Sequence, residues 1–290
     1  MSTAILTDTN SGITVNEAKS LGIFSMPMPV IIDGVNYYEN ETLSSEEFMR
    51  ALTDKKAIST SMPSPGDLLD KWDEILEDGY DEIVYIPMSS GLSSSCASAK
   101  GYLEDYEGKV FVADNHRISV TLRGAVLDAK RLADAGRSGS EITDILEAMR
   151  NDSVVYLGVD TLEYFMKSGR ATAAAASLVS NVLSVKPILR TTGEKFEPVT
   201  AVRGIKKCSA KIIENMQKEL GTRFKNVPAE DILIGVAGSF KESENAKKWL
   251  EVVKEAFPGY EVFYDPLSCS IITHTGPDAM GIGMMRKCHI

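Results

Sequence analysis

Basic residues are in short supply. The 290 residues carry 31 Lys and Arg against 41 Asp and Glu, a formal charge of -10. Nucleic-acid binding needs clustered Lys and Arg on phosphates, so no such partner is expected. Any anion must be held in a local pocket. Cysteine is scarce too. Cys96, Cys208, Cys269 and Cys288 show no C-x-x-C spacing, which leaves no zinc knuckle and no thioredoxin motif. Four thiols in a chain this long make no disulfide framework and fit a reducing cytoplasm, the expected location. No run of about eighteen apolar residues suggests a membrane helix, so the chain is not expected to be membrane-integral. The start, Met1-Ser2-Thr3-Ala4-Ile5-Leu6-Thr7-Asp8, has no basic region before an apolar run, so no signal peptide is expected. There is no G-x-x-x-x-G-K-[ST] loop for a nucleoside triphosphate and no G-x-S-x-G nucleophile elbow.

What is present is an ordinary globular balance, 43% hydrophobic and 25% charged. At roughly 100 to 200 residues per domain, the length suits one large domain or two ordinary ones. Short apolar runs alternate with amphipathic segments. Ala4 to Thr7, Glu82 to Ile86 and Val110 to Val112 read as strands. Val15 to Leu21, Ser93 to Tyr106 and Val120 to Ala135 read as helices, a pattern of parallel βαβ units. Ser44 with Glu47 offers a capping box, Ser64-Pro65 a cap followed by proline, and Ser140-Glu141 a third helix start. The second half reads differently. Val154 to Val159 and Leu183 to Leu189 are strand candidates. Thr191-Thr192-Gly193-Glu194 is a hairpin signal before an alternating run from Phe196 to Val202. Arg203 to Leu220 and Ser243 to Ala256 read as helices, Ile232 to Val236 and Val262 to Tyr264 as strands. This mixed sheet places a domain boundary near residue 150.

Four polar clusters end apolar runs: Ser59 to Ser64, Ser89 to Ser95, Lys167 to Arg170, and Thr273 to Pro277. The second lies between a strand and a helix, where free N–H groups and the helix dipole favour an anion. Taken singly it reads as a helix cap with small residues. Thr60 and Ser61 add hydroxyls, though alone they make a turn before the Ser64 cap. His274 is read in a polar turn after a strand. Arg170 offers a planar fork for an anion or an ordinary surface charge. Asp8 reads first as a cap. Gly281-Ile282-Gly283 is too weak for dinucleotide binding. Met26, Met28, Met280, Met284 and Met285 suit core packing first, a ligand tunnel second.

Taken in order, these pieces resemble the DegV family of fatty-acid-binding proteins. They are Thr7-Asp8-Thr9, Thr60-Ser61-Met62-Pro63-Ser64, Ser89-Ser90-Gly91-Leu92-Ser93, Asp160-Thr161-Leu162-Glu163-Tyr164 with Ser168-Gly169-Arg170, Lys186-Pro187-Ile188-Leu189 with Gly193, Arg203, and His274-Thr275-Gly276-Pro277. Two positions depart from the family pattern: Ser94-Ser95 stands where Gly-Thr is usual, and Met62 where Gln is frequent. The resemblance implies an α/β fold of two domains. Residues 1–150 would form a three-layer α/β/α unit with a parallel sheet, and 151–290 a two-layer α/β unit with a mixed sheet. A long-chain fatty acid such as hexadecanoate would lie between them. Thr60, Ser61, Ser93 and Ser94 would surround its carboxylate, with Arg170, His274 and Thr275 nearby. Arg203 would belong to a surface met by a fatty-acid kinase, which would phosphorylate the carboxylate to an acyl phosphate. The chain itself would be a carrier, monomeric, with no cofactor and no metal. One rival is a serine hydrolase or acyltransferase using Ser93 and His274, with Asp8 or Asp114 as orienting acid. Another is an interaction protein holding a structural lipid.

Overall fold

The structure is a computed structural model that describes residues 2–178 and 185–289. The first half runs β1 (Thr3–Asp8), α1 (Val15–Leu21), β2 (Phe24–Met26), β3 (Pro29–Ile32), β4 (Val35–Tyr38), α2 (Ser45–Thr53), β5 (Ile58–Thr60), α3 (Pro65–Glu77), β6 (Glu82–Ile86), α4 (Ser95–Lys100), β7 (Val110–Val112), α5 (Val120–Asp134) and α6 (Gly139–Ala148). Strands β2-β1-β6-β7 pair in that order, all parallel. The inner strands are almost wholly buried, as a parallel sheet covered on both faces requires. Helices α3 and α4 cover one face, α5 and α6 the other. This is the expected three-layer arrangement.

The second half runs β8 (Ser153–Gly158), α7 (Glu163–Ser168), β9 (Val185–Thr191), β10 (Glu197–Arg203), α8 (Ile205–Gly221), β11 (Ile232–Gly238), α9 (Ser243–Ala256), β12 (Glu261–Pro266), α10 (Cys269–Thr275) and β13 (Met280–Arg286). The sheet order is β10-β9-β8-β13-β11-β12, antiparallel except for β11 with β12. Its mixed character matches expectation. The strand read from Leu183 begins outside the described residues. Helices α8 and α9 cover one face, sealing a core around Met216, Trp249 and Ile282. The opposite face of the sheet receives α5 from the first half.

That contact explains Gly283 of β13 and Gly235 of β11. Gly283 and Gly235 are cross-strand partners, and a Cβ at either would lie within 2.7 Å of the Val120 side chain. A Cβ at Gly124 of α5 would sit 2.1 Å from Met285 Cε. Bare backbone on both surfaces lets helix and sheet approach closely. Of the glycine pair that gives a weak nucleotide signal, Gly283 is a helix-docking position, while a Cβ at Gly281 would meet Leu157 and the Tyr156 carbonyl of β8.

Local chemistry accounts for most element ends. Ser44 and Glu47 form the expected capping box, and Ser64 caps α3 with Pro65 at its first position. The third cap differs from expectation. Ser138, not Ser140, caps α6, its hydroxyl accepting from Glu141 N–H while Glu141 bonds back to Ser138 N–H. Replacing Ser138 with Ala should cost about 1 kcal/mol, read as a lower urea midpoint with an unchanged slope. The helix expected over Ser93 to Tyr106 is broken. It ends at Lys100, and Leu103–Tyr106 forms a separate 3-10 turn, because the Gly101 N–H reaches back to Ser98 in a tightened last turn.

A third sheet, β4-β3-β5, was not expected. Asp33 and Gly34, at φ 51° and 84°, turn the β3–β4 hairpin, the Asp-Gly signal for such turns. Its strands are short, and the outer two are half exposed, so the period-two pattern is faint. This sheet carries Thr60 and stacks on α10.

Candidate functional site

A cavity of about 340 Å³ lies where α5, β8, β13 and α10 meet. Its size falls within the ~300–1,000 Å³ of small-molecule pockets. Met28, Leu92, Val155, Leu157, Phe165 and Phe196 supply apolar wall. The Phe165 and Phe196 rings meet edge to face at 5.0 Å. Gly281 and Gly283 expose bare β13 backbone beside Val120.

All seven residues singled out from the sequence line this one cavity: Thr60, Ser61, Ser93, Ser94, Arg170, His274 and Thr275. They come from four separated segments. Thr60 ends β5, and Ser61 follows it with its N–H on the Pro29 carbonyl. Ser93 and Ser94 precede α4. Arg170 follows α7, which ends on Gly169 at φ 69°, the left-handed cap that turns the chain. The backbone of Arg170 is fixed by its carbonyl, which accepts from Phe196 N–H at 2.8 Å.

His274 corrects the sequence reading. It sits in the last turn of α10, not in a turn after a strand. Two apolar residues between polar ones are ambiguous over so short a run, and the helix is set by tertiary anchors. Ser268 caps it through Ile271 N–H, and the buried Glu39 carboxylate accepts from Cys269 N–H at 3.0 Å. Helical spacing then puts Ser270 with His274, and Ile271 with Thr275.

The hydrogen bonds define the polar end. Thr60 Oγ1 and His274 Nε2 are 2.8 Å apart, across 214 residues of sequence. The other ring nitrogen, Nδ1, is buried without a hydrogen-bond partner among the described residues. Burial, and secondarily the Arg170 charge, lowers the His274 pKa to about 4, so the ring is neutral near pH 7. Arg170 is half-buried, and desolvation lowers its guanidinium from the usual value. It donates to the Ser168 carbonyl at 2.6 Å and remains charged.

The Ser89–Ser95 loop differs from the amide cradle its sequence suggested. Leu92 and Ser93 N–H bond the Ser89 carbonyl, Gly91 N–H the Ser89 hydroxyl, and Ser95 N–H the Ser93 hydroxyl. These amides are spent within the loop, and α4 is only six residues long, so its dipole is small. Ser93 and Ser94 themselves line the cavity. Ser89 itself bonds the Gly193 carbonyl, seating the β9–β10 hairpin on this loop. The two departures from the family pattern meet here: Ser94 Oγ lies 3.7 Å from Met62 Sδ. Ser94 has φ -80°, so no glycine is required at that position.

A serine hydrolase relay is not assembled. Ser93 Oγ pairs with Ser95 Oγ at 2.9 Å, and His274 with Thr60, so neither nitrogen meets Ser93. Among the described residues no acid bonds Nδ1. Asp8 caps the turn after β1, accepting from Asn10 N–H and Met88 N–H, and Asp114 accepts from Ser90 N–H. Among the described residues no cluster of three or more His, Cys, Asp or Glu could hold a metal, and no helix is long and apolar enough to cross a membrane. Of the methionines considered for a tunnel, Met28 lines it and Met26, Met280 and Met284 are core.

Sequence reading passed over Asn10, Ser119 and Ser270, which also line the cavity. Ser270 had a signal in its i, i+4 spacing from His274, visible only once α10 is known to be a helix. Ser119, at φ 53°, had none.

His274 gives a pH signature. The native ring binds fewer protons than the unfolded one between about pH 4 and 6.5, so its contribution to stability falls on acidification through that window. Asp8 and Asp265, raised by burial to about 6 and about 7, act oppositely, stabilising at low pH and losing that contribution as pH rises. The variant His274→Gln removes only the first effect. Its melting temperature should gain on wild type between about pH 7 and about pH 5; a constant gap would contradict this.

The fold and cavity define an α/β protein with two main sheets and an interior apolar pocket closed at one end by hydroxyls, an imidazole and a guanidinium. Residues 2–287 match the family model described as "Uncharacterised protein, DegV family". The chain belongs to the DegV family. A DegV domain-containing protein of Deinococcus radiodurans is 28% identical over 285 residues, covering 98% of both chains. Among solved structures, a fatty-acid-binding DegV family protein of Thermus thermophilus is similar with a TM-score of 0.85 and 26% identity, over 99% of this chain and 100% of that one. DegV of Bacillus subtilis, a fatty acid binding protein, gives 0.83 at 26% identity over the same shares.

Proposed function

We propose that this chain binds one long-chain fatty acid, its tail in the apolar cavity and its carboxylate among Thr60, Ser93, Arg170 and His274. Ser61 and Ser94 form the exposed rim, and Thr275 the buried side. The observation that carries this reading is the joining of one apolar cavity to one polar end assembled from four segments. Two 26%-identical neighbours of the same fold bind fatty acids, which supports it.

The energetics divide the work. Each buried methylene contributes roughly 0.8 kcal/mol, so a tail of about sixteen carbons supplies most of the affinity even after ordering costs. A carboxylate taken from water needs hydrogen bonds in return. With its proton on Nε2, His274 donates to Thr60 Oγ1 and leaves the Thr60 hydroxyl hydrogen for a ligand oxygen. Arg170 supplies the countercharge.

The carrier would act with a separate kinase, the two α/β units on either side of residue 150 holding the lipid between them. A carboxylate oxygen attacks the terminal phosphorus of a nucleoside triphosphate held by that kinase. The new O–P bond forms as the bond to the bridging oxygen breaks, and the nucleoside diphosphate leaves. This chain shields the tail and makes no bond itself. Exposed Arg203 and Ile205, at the β10–α8 corner, offer a docking point for the kinase. The test is extraction of the purified protein followed by mass spectrometry, then incubation with a fatty-acid kinase and nucleotide. A bound long-chain fatty acid, and acyl phosphate made only with this chain present, are expected. Preparations that neither carry nor take up fatty acid would overturn the binding reading. Acyl phosphate made equally well without this chain would overturn the carrier role.

A further inference from the structure

The lipid cavity holds a second set of polar side chains that the carboxylate does not use. Asn10, Ser119 and Ser270 line it beside the apolar wall. Helix α10 sets their depth. His274 and Thr275 stand at its C-terminal end, Ser270 one turn earlier, and the Ser268 cap six positions before His274, about 9 Å along the axis. At that far end Ser268 Oγ meets Asn10 Oδ1 at 3.4 Å, and the Asn10 carbonyl accepts from Ser119 N–H at 2.9 Å. With carbon–carbon bonds of about 1.5 Å, an extended chain covers this depth in roughly seven bonds. The second polar set therefore lies beside the middle of the tail.

These groups lack protein partners. Ser119 is 9% exposed and Ser270 5%, and neither hydroxyl makes a hydrogen bond among the described residues. Ser119 stands at the cap of the fifteen-residue α5 at φ 53° and ψ -134°, a conformation in which glycine is usual, yet it makes no capping bond. The N–H groups of Val120 and Thr121, the first of α5, find no acceptor among the described residues either. Val120 lines the cavity, so the positive end of this helix opens on it. Asn10 is fully buried, and its Nδ2 has only a thioether, Met88 Sδ at 3.1 Å, which is a weak acceptor. Two buried hydroxyls, a poorly satisfied amide and a helix N-terminus thus converge where a plain hydrocarbon tail offers them nothing.

We infer that the cavity selects a fatty acid bearing a hydroxyl near the middle of its chain, held by Ser119, Ser270 and Asn10. The inference rests on the fatty-acid reading above and names the class of acid. A hydroxyl fits because it both accepts and donates. Its oxygen takes the free N–H of α5 or a serine hydroxyl, and its hydrogen goes to Asn10 Oδ1 or a serine oxygen. A second carboxylate does not fit. Among the described residues Arg170 is the only Lys or Arg lining the cavity, and it stands at the His274 end, so a mid-chain anion would be buried without a countercharge. A plain tail leaves the buried polar atoms unpaired, and a site built to bond a hydroxyl turns that loss into discrimination.

The experiment titrates the delipidated protein calorimetrically with palmitate and with hydroxypalmitates carrying the hydroxyl at carbon 6, 8, 10 or 16. Wild type should bind one of the mid-chain hydroxy acids about tenfold more tightly than palmitate, and the 16-hydroxy acid no better than palmitate. The variant Ser119→Ala/Ser270→Ala should lose that preference. It should bind palmitate somewhat more tightly than wild type does, because two unpaired hydroxyls no longer lie along the tail. Its palmitate binding also reports that it is folded. Wild type that binds palmitate but ranks no mid-chain hydroxy acid above it would overturn this inference and leave the fatty-acid reading standing. A preference that survives in the alanine variant, or a variant that loses palmitate as well, would overturn the assignment to these serines. Wild type that takes up neither kind of acid would overturn the fatty-acid reading and this extension with it.

Discussion

Thr60→Val should weaken fatty-acid retention by about one to two orders of magnitude. Among the described residues the hydroxyl is the only hydrogen-bond partner of the His274 ring, through Nε2 at 2.8 Å. Valine keeps the shape and removes the hydrogen bond, so the ring is left without a protein partner. Valine also takes a hydroxyl donor from the carboxylate, and a hydrogen bond to a charged group contributes about 1.5–3 kcal/mol, where tenfold in affinity is about 1.4 kcal/mol. The imidazole also loses the bond that fixes its tautomer and its aim. Isothermal titration of the delipidated variant with palmitate measures the effect. Thr60→Ser, which keeps the hydroxyl, should stay near wild type. Equal affinities for valine and wild type would show that the carboxylate does not sit here.

Gly281→Val should be nearly as severe, and by a different route. Gly281 lies on β13 in the cavity wall, and a Cβ there already reaches 3.0 Å from Leu157 Cδ1 and 3.1 Å from the Tyr156 carbonyl. A valine side chain must project into the space assigned to the tail. Displacing about three methylenes removes roughly 2–3 kcal/mol of burial, or around fiftyfold in affinity for a given acid. Overpacking adds about 1–3 kcal/mol of instability. The lipids carried through purification should therefore fall in amount and shift to shorter chains, while the circular dichroism spectrum keeps its α/β form. An unchanged lipid profile would place the tail elsewhere.

The two substitutions address the two halves of one physical idea. The polar end costs desolvation and must return it in hydrogen bonds. The apolar wall supplies the affinity. Fatty acid should survive loss of part of either half with reduced affinity, but not loss of both.

Much of this was legible in the sequence where local rules decide structure. Capping chemistry marked α2 and α3 because the first N–H groups of a helix need partners, whoever their tertiary neighbours are. Continuous apolar runs marked β1 and β6 because parallel strands are buried on both faces. The Thr-Thr-Gly-Glu turn marked the β9–β10 hairpin. The site residues emerged from four weak clusters whose order resembled a family, and no one cluster would have sufficed.

What escaped was decided by contacts distant in sequence. The strands of the β4-β3-β5 sheet are three or four residues long, the central one buried and the outer two exposed, so no period of two stands out, although Asp33-Gly34 was there to be read. Helix α10 is seven residues long and is held by Glu39 from 230 positions away. The spacing of Ser270, His274 and Thr275 therefore had no frame to be read in. Gly281 and Gly283 looked like a broken nucleotide loop because a bare strand face has the same letters. The fold tells them apart: Gly283 lets α5 dock, and Gly281 stands in the cavity wall against Leu157. The loop before α4 reads as a helix cap that offers amides and hydroxyls to an anion, but its own serines consume several of those amides.

The most direct test is a crystal structure of the protein grown with palmitate. Continuous tubular density is expected, starting within hydrogen-bond distance of Thr60 and His274 and running past Leu157 and Gly281 toward Val120. Density for palmitate on another surface, with this cavity filled only by water, would contradict the account.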